Sequence, residues 1–234
     1  MFYFCCSGWD WLQCFGTEKE VAMVRAIIFI VTLLLFASAY PAFSQQETTV
    51  TNDKLDTVTA NDEAAFRGSS WGWSRSDVMD TETAVFDNEF TQGIHECLVF
   101  QVWVADISME VIYVFVGDML VRTKYMSTQT HSNKTLFIQD YNNLQKLLTT
   151  KYGKPDQEET IWLNTLFQDD YSDWGVAVAA GHLAMGTVWN TSSTLITLLL
   201  NGDNYEIRLG VEYVSKTYKH LEKQEKQNQS MEDL

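Results

Sequence analysis

Apolar and polar residues along this chain change their spacing several times, and each change marks a predicted element. Between positions 109 and 115, Met109, Val111, Tyr113 and Phe115 alternate with Glu110, Ile112 and Val114, the period of a strand with one wholly apolar face. Runs of the same kind predict strands over 97–103 and 119–126, and Gly117-Asp118 supplies the hairpin between 115 and 119. Such a sheet needs cover on at least one side.

Helical spacing appears twice. Ser74 followed three residues later by Asp77 forms a capping box, with Trp73 and Val78 placed to staple it, and predicts a short helix ending near Thr83. Tyr141, Leu144, Leu148 and Tyr152 make an apolar stripe, predicting a second helix over 141–152 that Asp140 caps and Gly153 stops, with Pro155 beyond. Further strands are predicted over 159–164, 174–180, 183–189, 194–200 and 205–215, the last two meeting at Asn201-Gly202-Asp203-Asn204. The fold class is therefore α+β: short helices packed on an antiparallel β-meander sheet, with the order helix-then-meander occurring twice as two repeats would.

The ends read differently. Met23 opens a stretch laid out as a secretory signal: Val24-Arg25, the apolar run 26–37, and an exit containing Ala42 and Ser44. Cleavage is expected between Ser44 and Gln45, with 1–22 an upstream extension from a misassigned start, 23–44 the signal and 45–65 a flexible leader. The folded domain covers 66–215, and 216–234 is a charged tail, helical or disordered. Export places the mature chain in the periplasm or outside the cell. If 26–43 stays uncleaved, it would instead anchor an envelope subunit in the membrane.

Charge narrows the partners. The chain carries a formal −15, and the part after Ser44, with 14 basic and 28 acidic residues, keeps −14. Nucleic acid and anionic lipid are repelled by such a field, so neither is an expected partner. Three of the four cysteines precede Met23, leaving Cys97 alone in the mature part and no disulfide framework.

Candidate chemistry is sparse. Gly68-Ser69-Ser70-Trp71-Gly72 has the spacing of a nucleophile elbow without the strand before it or the helix directly after, so Ser70 reads as a loop residue. His95 and Cys97 point to one face of a strand, but no second pair accompanies them as metal ligation requires, and Cys97 reads as a buried apolar group. Asp169, Asp170 and Asp173 precede Trp174-Gly175, yet Trp174 and Gly181 stand where a calcium loop needs oxygen ligands. Trp103, Trp162 and Trp189 lie in or beside apolar strands and are expected in the core, whereas Trp71 and Trp174 lie in loop-like surroundings. No cofactor motif is present. The candidates for binding are Trp71, Asp169, Asp170, Asp173 and Trp174.

The arrangement Phe66-Arg67-Gly68, Trp71-Gly72 and Ser74 to Val78, followed by Tyr141, Leu144, Leu148 and Lys151-Tyr152-Gly153-Lys154-Pro155, resembles a group of small exported bacterial proteins without assigned activity. In outline, a helix plus antiparallel meander taken twice is also similar to the β-lactamase inhibitor protein and the small outer-membrane assembly lipoproteins of that fold. The second resemblance implies a binding protein. The expected function is thus a non-enzymatic exported protein that engages a protein or envelope component. The alternative is a hydrolase using the loop carboxylates near Trp174 and His182, which requires two of those groups to converge in space.

Overall fold

A computed structural model describes residues 66–232. The expectations for 1–65, including the signal and the Ser44/Gln45 cleavage point, fall outside the described residues, as do the last two positions. Among the described residues no helix is long and apolar enough to cross a membrane.

Helix α1 (Arg75–Thr81) leads into four strands, β1 (Val85–Gln92), β2 (His95–Val104), β3 (Ile107–Val116) and β4 (Met119–Ser127). Helix α2 (Leu136–Tyr152) follows, then β5 (Gln157–Trp162), a single 3-10 turn (Tyr171–Asp173), α3 (Trp174–Ala179), and β6 (Leu183–Asn190), β7 (Thr194–Asp203) and β8 (Glu206–Ser215). Helix α4 (His220–Glu232) closes the described chain. All eight strands form one antiparallel sheet in the order β1-β2-β3-β4-β8-β7-β6-β5. Two four-stranded meanders thus join through their final strands, Thr123 opposite Tyr213 and Tyr125 opposite Val211.

Local chemistry accounts for most boundaries. The Ser74 hydroxyl accepts from the Asp77 N–H, and the Asp77 carboxylate accepts from the Ser74 N–H in return, so two of the orphan donors at the helix start are satisfied. The β2–β3, β3–β4 and β7–β8 turns place Ala105-Asp106, Gly117-Asp118 and Asn204-Tyr205 at positive φ, the hairpin geometry whose twist matches the flanking strands. One face of the sheet carries Phe100, Met109, Val111, Tyr113, Leu198 and Val211, which pack with Val78 of α1, Phe137, Ile138, Tyr141, Leu144 and Leu148 of α2, and Val178 of α3 into one core. On the opposite face Ile94, Cys97, Val114, Val116 and Val121 form a smaller cluster against Tyr218 and Leu221.

Several expectations are corrected. The segment predicted as a strand over 174–180 is helix α3, because Gly175 must sit against the backbone of Lys134 and Thr135, where an added Cβ would lie 2.1 Å from the Thr135 nitrogen. Asp140 does not cap α2, which starts a turn earlier; its carboxylate instead meets His131 Nε2 at 2.6 Å. Strand β1 carries no sequence signal, since its edge position leaves most of its residues exposed and without an alternating pattern. The last hairpin turns at Asn204-Tyr205, and Asn201, Gly202 and Asp203 belong to β7. Trp103 is 73% exposed near the end of β2 rather than in the core, whereas Trp189 is fully buried and Trp162 half-buried. The tail from Lys216 is partly structural: its helix α4 docks by its first turn.

Candidate functional site

Two buried polar clusters serve the fold. Glu82, at the end of α1, accepts from Arg67 Nε (2.7 Å) and Nη2 (2.8 Å), from the Ala84 N–H (2.8 Å) and from the Tyr113 hydroxyl. Burial pushes this carboxyl up, but the Arg67 and Tyr113 hydrogen bonds outweigh it and hold it at about 2. On the opposite sheet face Arg122 donates to Glu212 (2.8 Å) and Glu222 (2.6 Å), Lys124 reaches Glu212 at 3.2 Å, and His95 Nε2 lies 3.3 Å from Glu222. Every carboxylate in both clusters is matched by cations or hydroxyls of the protein itself.

The connection between β5 and α3 carries most of the residues that the sequence offers as binding candidates. Strand β5 delivers Trp162 to the end of the sheet, and the chain then loops over positions 163–170 before entering the 3-10 turn. The loop is held from inside: the Leu163 N–H donates to the His182 carbonyl at 2.7 Å, and Trp174 Nε1 donates to the Gln168 carbonyl at 3.0 Å. Asp170 accepts from both the N–H (2.9 Å) and the hydroxyl (2.8 Å) of Ser172, which lowers its pKa and pins the entry to the turn. Thr135, at the start of α2, donates its hydroxyl to the Ser172 carbonyl at 2.8 Å and ties the turn to the helix layer.

This scaffold presents two groups of rings. Trp174 stands edge-on to Trp162 (centroids 5.3 Å apart) and tilted to Tyr171 (5.1 Å), while Phe167 stacks on His182 (5.6 Å). The inner rings Trp162, Phe167 and Trp174 are half-buried against the main core. Leu166 is 71% and Tyr171 49% exposed, and Leu163 and Val176 also face solvent beside the exposed Asp169, Asp170 and Asp173. Four exposed apolar side chains and three exposed carboxylates thus fall within the fourteen positions from Leu163 to Val176, on a connection held by hydrogen bonds at both ends.

The sequence candidates divide accordingly. Asp169, Asp170, Asp173 and Trp174 come together on this loop. Trp71 does not join them: its indole N–H donates to the Thr194 hydroxyl at 2.9 Å and its ring packs on the main core. The three aspartates stand exposed around the loop, and the ring of His182 is engaged by Phe167. His95 and Cys97 share a face as expected, both buried, with His95 turned to Glu222. Among the described residues no group of three or more histidine, cysteine, aspartate or glutamate side chains could hold a metal.

Leu163, Leu166, Phe167 and Tyr171 are absent from the candidates that the sequence supplies. A loop offers no period to read, and the one available signal is a run of large apolar residues between β5 and the acids that fits neither a helix nor a strand. Comparison with known proteins adds no precedent: no family model, no curated protein and no solved structure matches this chain.

Proposed function

We propose that this is an exported, non-enzymatic protein that binds a protein or envelope component through the loop between β5 and α3. The observation that carries the reading is the exposure of Leu166 and Tyr171 on a loop pinned by Asp170 and Trp174, beside a sheet face already sealed by three helices. A fixed apolar surface loses little conformational freedom when a partner covers it. Export is supported by the signal-like layout of 23–44 and by the single cysteine beyond it. The strand order, which mirrors about the β4–β8 seam, supports reading the helix-plus-meander halves as two repeats, the outline on which the comparison with binding proteins of that fold rests.

Two measurements test the reading. Mass spectrometry of the protein from its native cell is expected to find Gln45 as the first residue. A photo-crosslinker placed at Leu166 or Tyr171 in that cell is expected to yield a discrete adduct, and one placed at the exposed Ser192, in the turn at the opposite end of the sheet, to yield none. Equal labelling from both ends would remove the loop as the binding surface.

A further inference from the structure

The loop surface is apolar and acidic at once, and that combination selects among partners. From position 163 to 173 the chain carries three carboxylates and no lysine or arginine. Asp169, Asp170 and Asp173 form no ion pair among the described residues. Lys134, at the neighbouring approach to α2, lies with its ammonium over the Phe137 ring, 5.8 Å from the centroid. Three unpaired carboxylates within five positions repel one another, and the Ser172 bonds to Asp170 fix one of them in place.

Each simpler partner leaves part of this surface unused or penalised. A bare metal ion would ignore Leu166, Tyr171 and Leu163. A neutral apolar partner would strip water from the aspartates and return no hydrogen bond, which is costly. A second copy of the chain, itself at −15, would bring more negative charge to an acidic rim. An anionic membrane fails for the same reason.

Resting on the binding reading above, we infer that the loop docks a basic polypeptide segment in which lysine or arginine side chains are interspersed with apolar ones. The apolar side chains cover Leu163, Leu166 and Tyr171. The cations meet Asp169, Asp170 and Asp173, and a guanidinium can also lie over the exposed ring of Tyr171.

Fluorescence anisotropy with the full chain and three labelled 12-residue peptides tests this: three copies of Lys-Leu-Arg-Ser, the same peptide with glutamate at every basic position, and the same peptide with serine at every leucine. The basic-apolar peptide is expected to bind at least tenfold more tightly than either control, and to weaken as sodium chloride rises from 50 to 300 mM, roughly as screening of exposed charges requires. D169N/D170N/D173N, in which the amide oxygen at position 170 can still accept from Ser172, is expected to lose at least tenfold in affinity, and L166S/Y171S to lose as much. Circular dichroism and thermal melting confirm that both variants fold, since the altered side chains are exposed. Failure of the full chain to prefer the basic-apolar peptide overturns the inference and leaves the binding reading to the crosslinking experiment. Undiminished binding by the asparagine variant, with loss in L166S/Y171S, overturns the electrostatic pairing and keeps the loop as a surface. Undiminished binding by both variants overturns the inference and the choice of loop together.

Discussion

Replacing Glu82 by glutamine tests the main buried charge cluster, because it changes charge and donor pattern with almost no change in shape. The Glu82 side chain is only 2% exposed, but that of its partner Arg67 is 28% exposed, so solvent screens the pair in part. Both of its oxygens accept: Oε2 from Arg67 Nε and the Tyr113 hydroxyl, Oε1 from Arg67 Nη2 and the Ala84 N–H. Turned toward Oε1, the new amide NH2 faces the Arg67 Nη2 and Ala84 N–H donors and loses both bonds; turned toward Oε2, it loses the Arg67 Nε bond and forces the Tyr113 hydroxyl to accept instead of donate. The carboxyl is lowered from 4.5 to about 2 in the folded chain, and a shift of that size corresponds to at most about 3 kcal/mol of stability, which screening at Arg67 reduces. Because the folded value lies below the unfolded one, this contribution is fully present above the unfolded value and is lost as pH falls through the range down to the folded one. Urea unfolding of wild type and E82Q is therefore expected to show a gap of roughly 1–3 kcal/mol at neutral pH. The melting temperature should fall by about 2–12 °C, and the gap should shrink steadily below pH 5, roughly as the linkage relation requires. Glu212 and Glu222 titrate in both proteins and cancel in the difference. A gap that stays constant from neutral to acid pH would refute the argument, since it would come from packing rather than from the charge.

Gly175→Ala is expected to prevent normal folding, because the new Cβ would meet the Lys134 carbonyl carbon at 2.2 Å and neither backbone segment can give way; the check is soluble yield and near-UV circular dichroism. Glu222→Ala removes the carboxylate that links α4 to Arg122 and His95, so amide exchange over 220–232 should become faster while exchange in β3 and β7 stays slow. In the wild type, acid should loosen the same helix. Burial pushes Glu222 up, but His95 and Arg122 together lower its pKa, so the link is complete near neutrality and fails as pH falls through the lowered value. Trp103→Ser should change stability by no more than about 0.5 kcal/mol in urea unfolding, because the ring is exposed, and a larger loss would show that it packs.

Sequence alone determined the elements whose signals are local. The capping box at Ser74 and Asp77, the alternation through Met109, Val111, Tyr113 and Phe115, the Gly117-Asp118 hairpin and the glycine stop at Gly153 depend on neighbours a few residues away, and each is found where the pattern placed it. The acidic character and the clustering of Asp169, Asp170, Asp173 and Trp174 in one segment were equally readable. Tertiary structure decided the rest. Residues 174–179 alternate like a strand but fold as a helix, because Gly175 must press on Lys134 and Thr135, some forty positions earlier. Trp103 reads as core by its strand, yet its side chain is exposed while its neighbours Val102 and Val104, on the other face of β2, reach the core. The joining of the meanders through β4 and β8, and the pairing of Trp162 with Trp174 and of Phe167 with His182, are contacts between separate segments. Periodicity reports which side of an element is apolar, whereas only packing decides what that side meets.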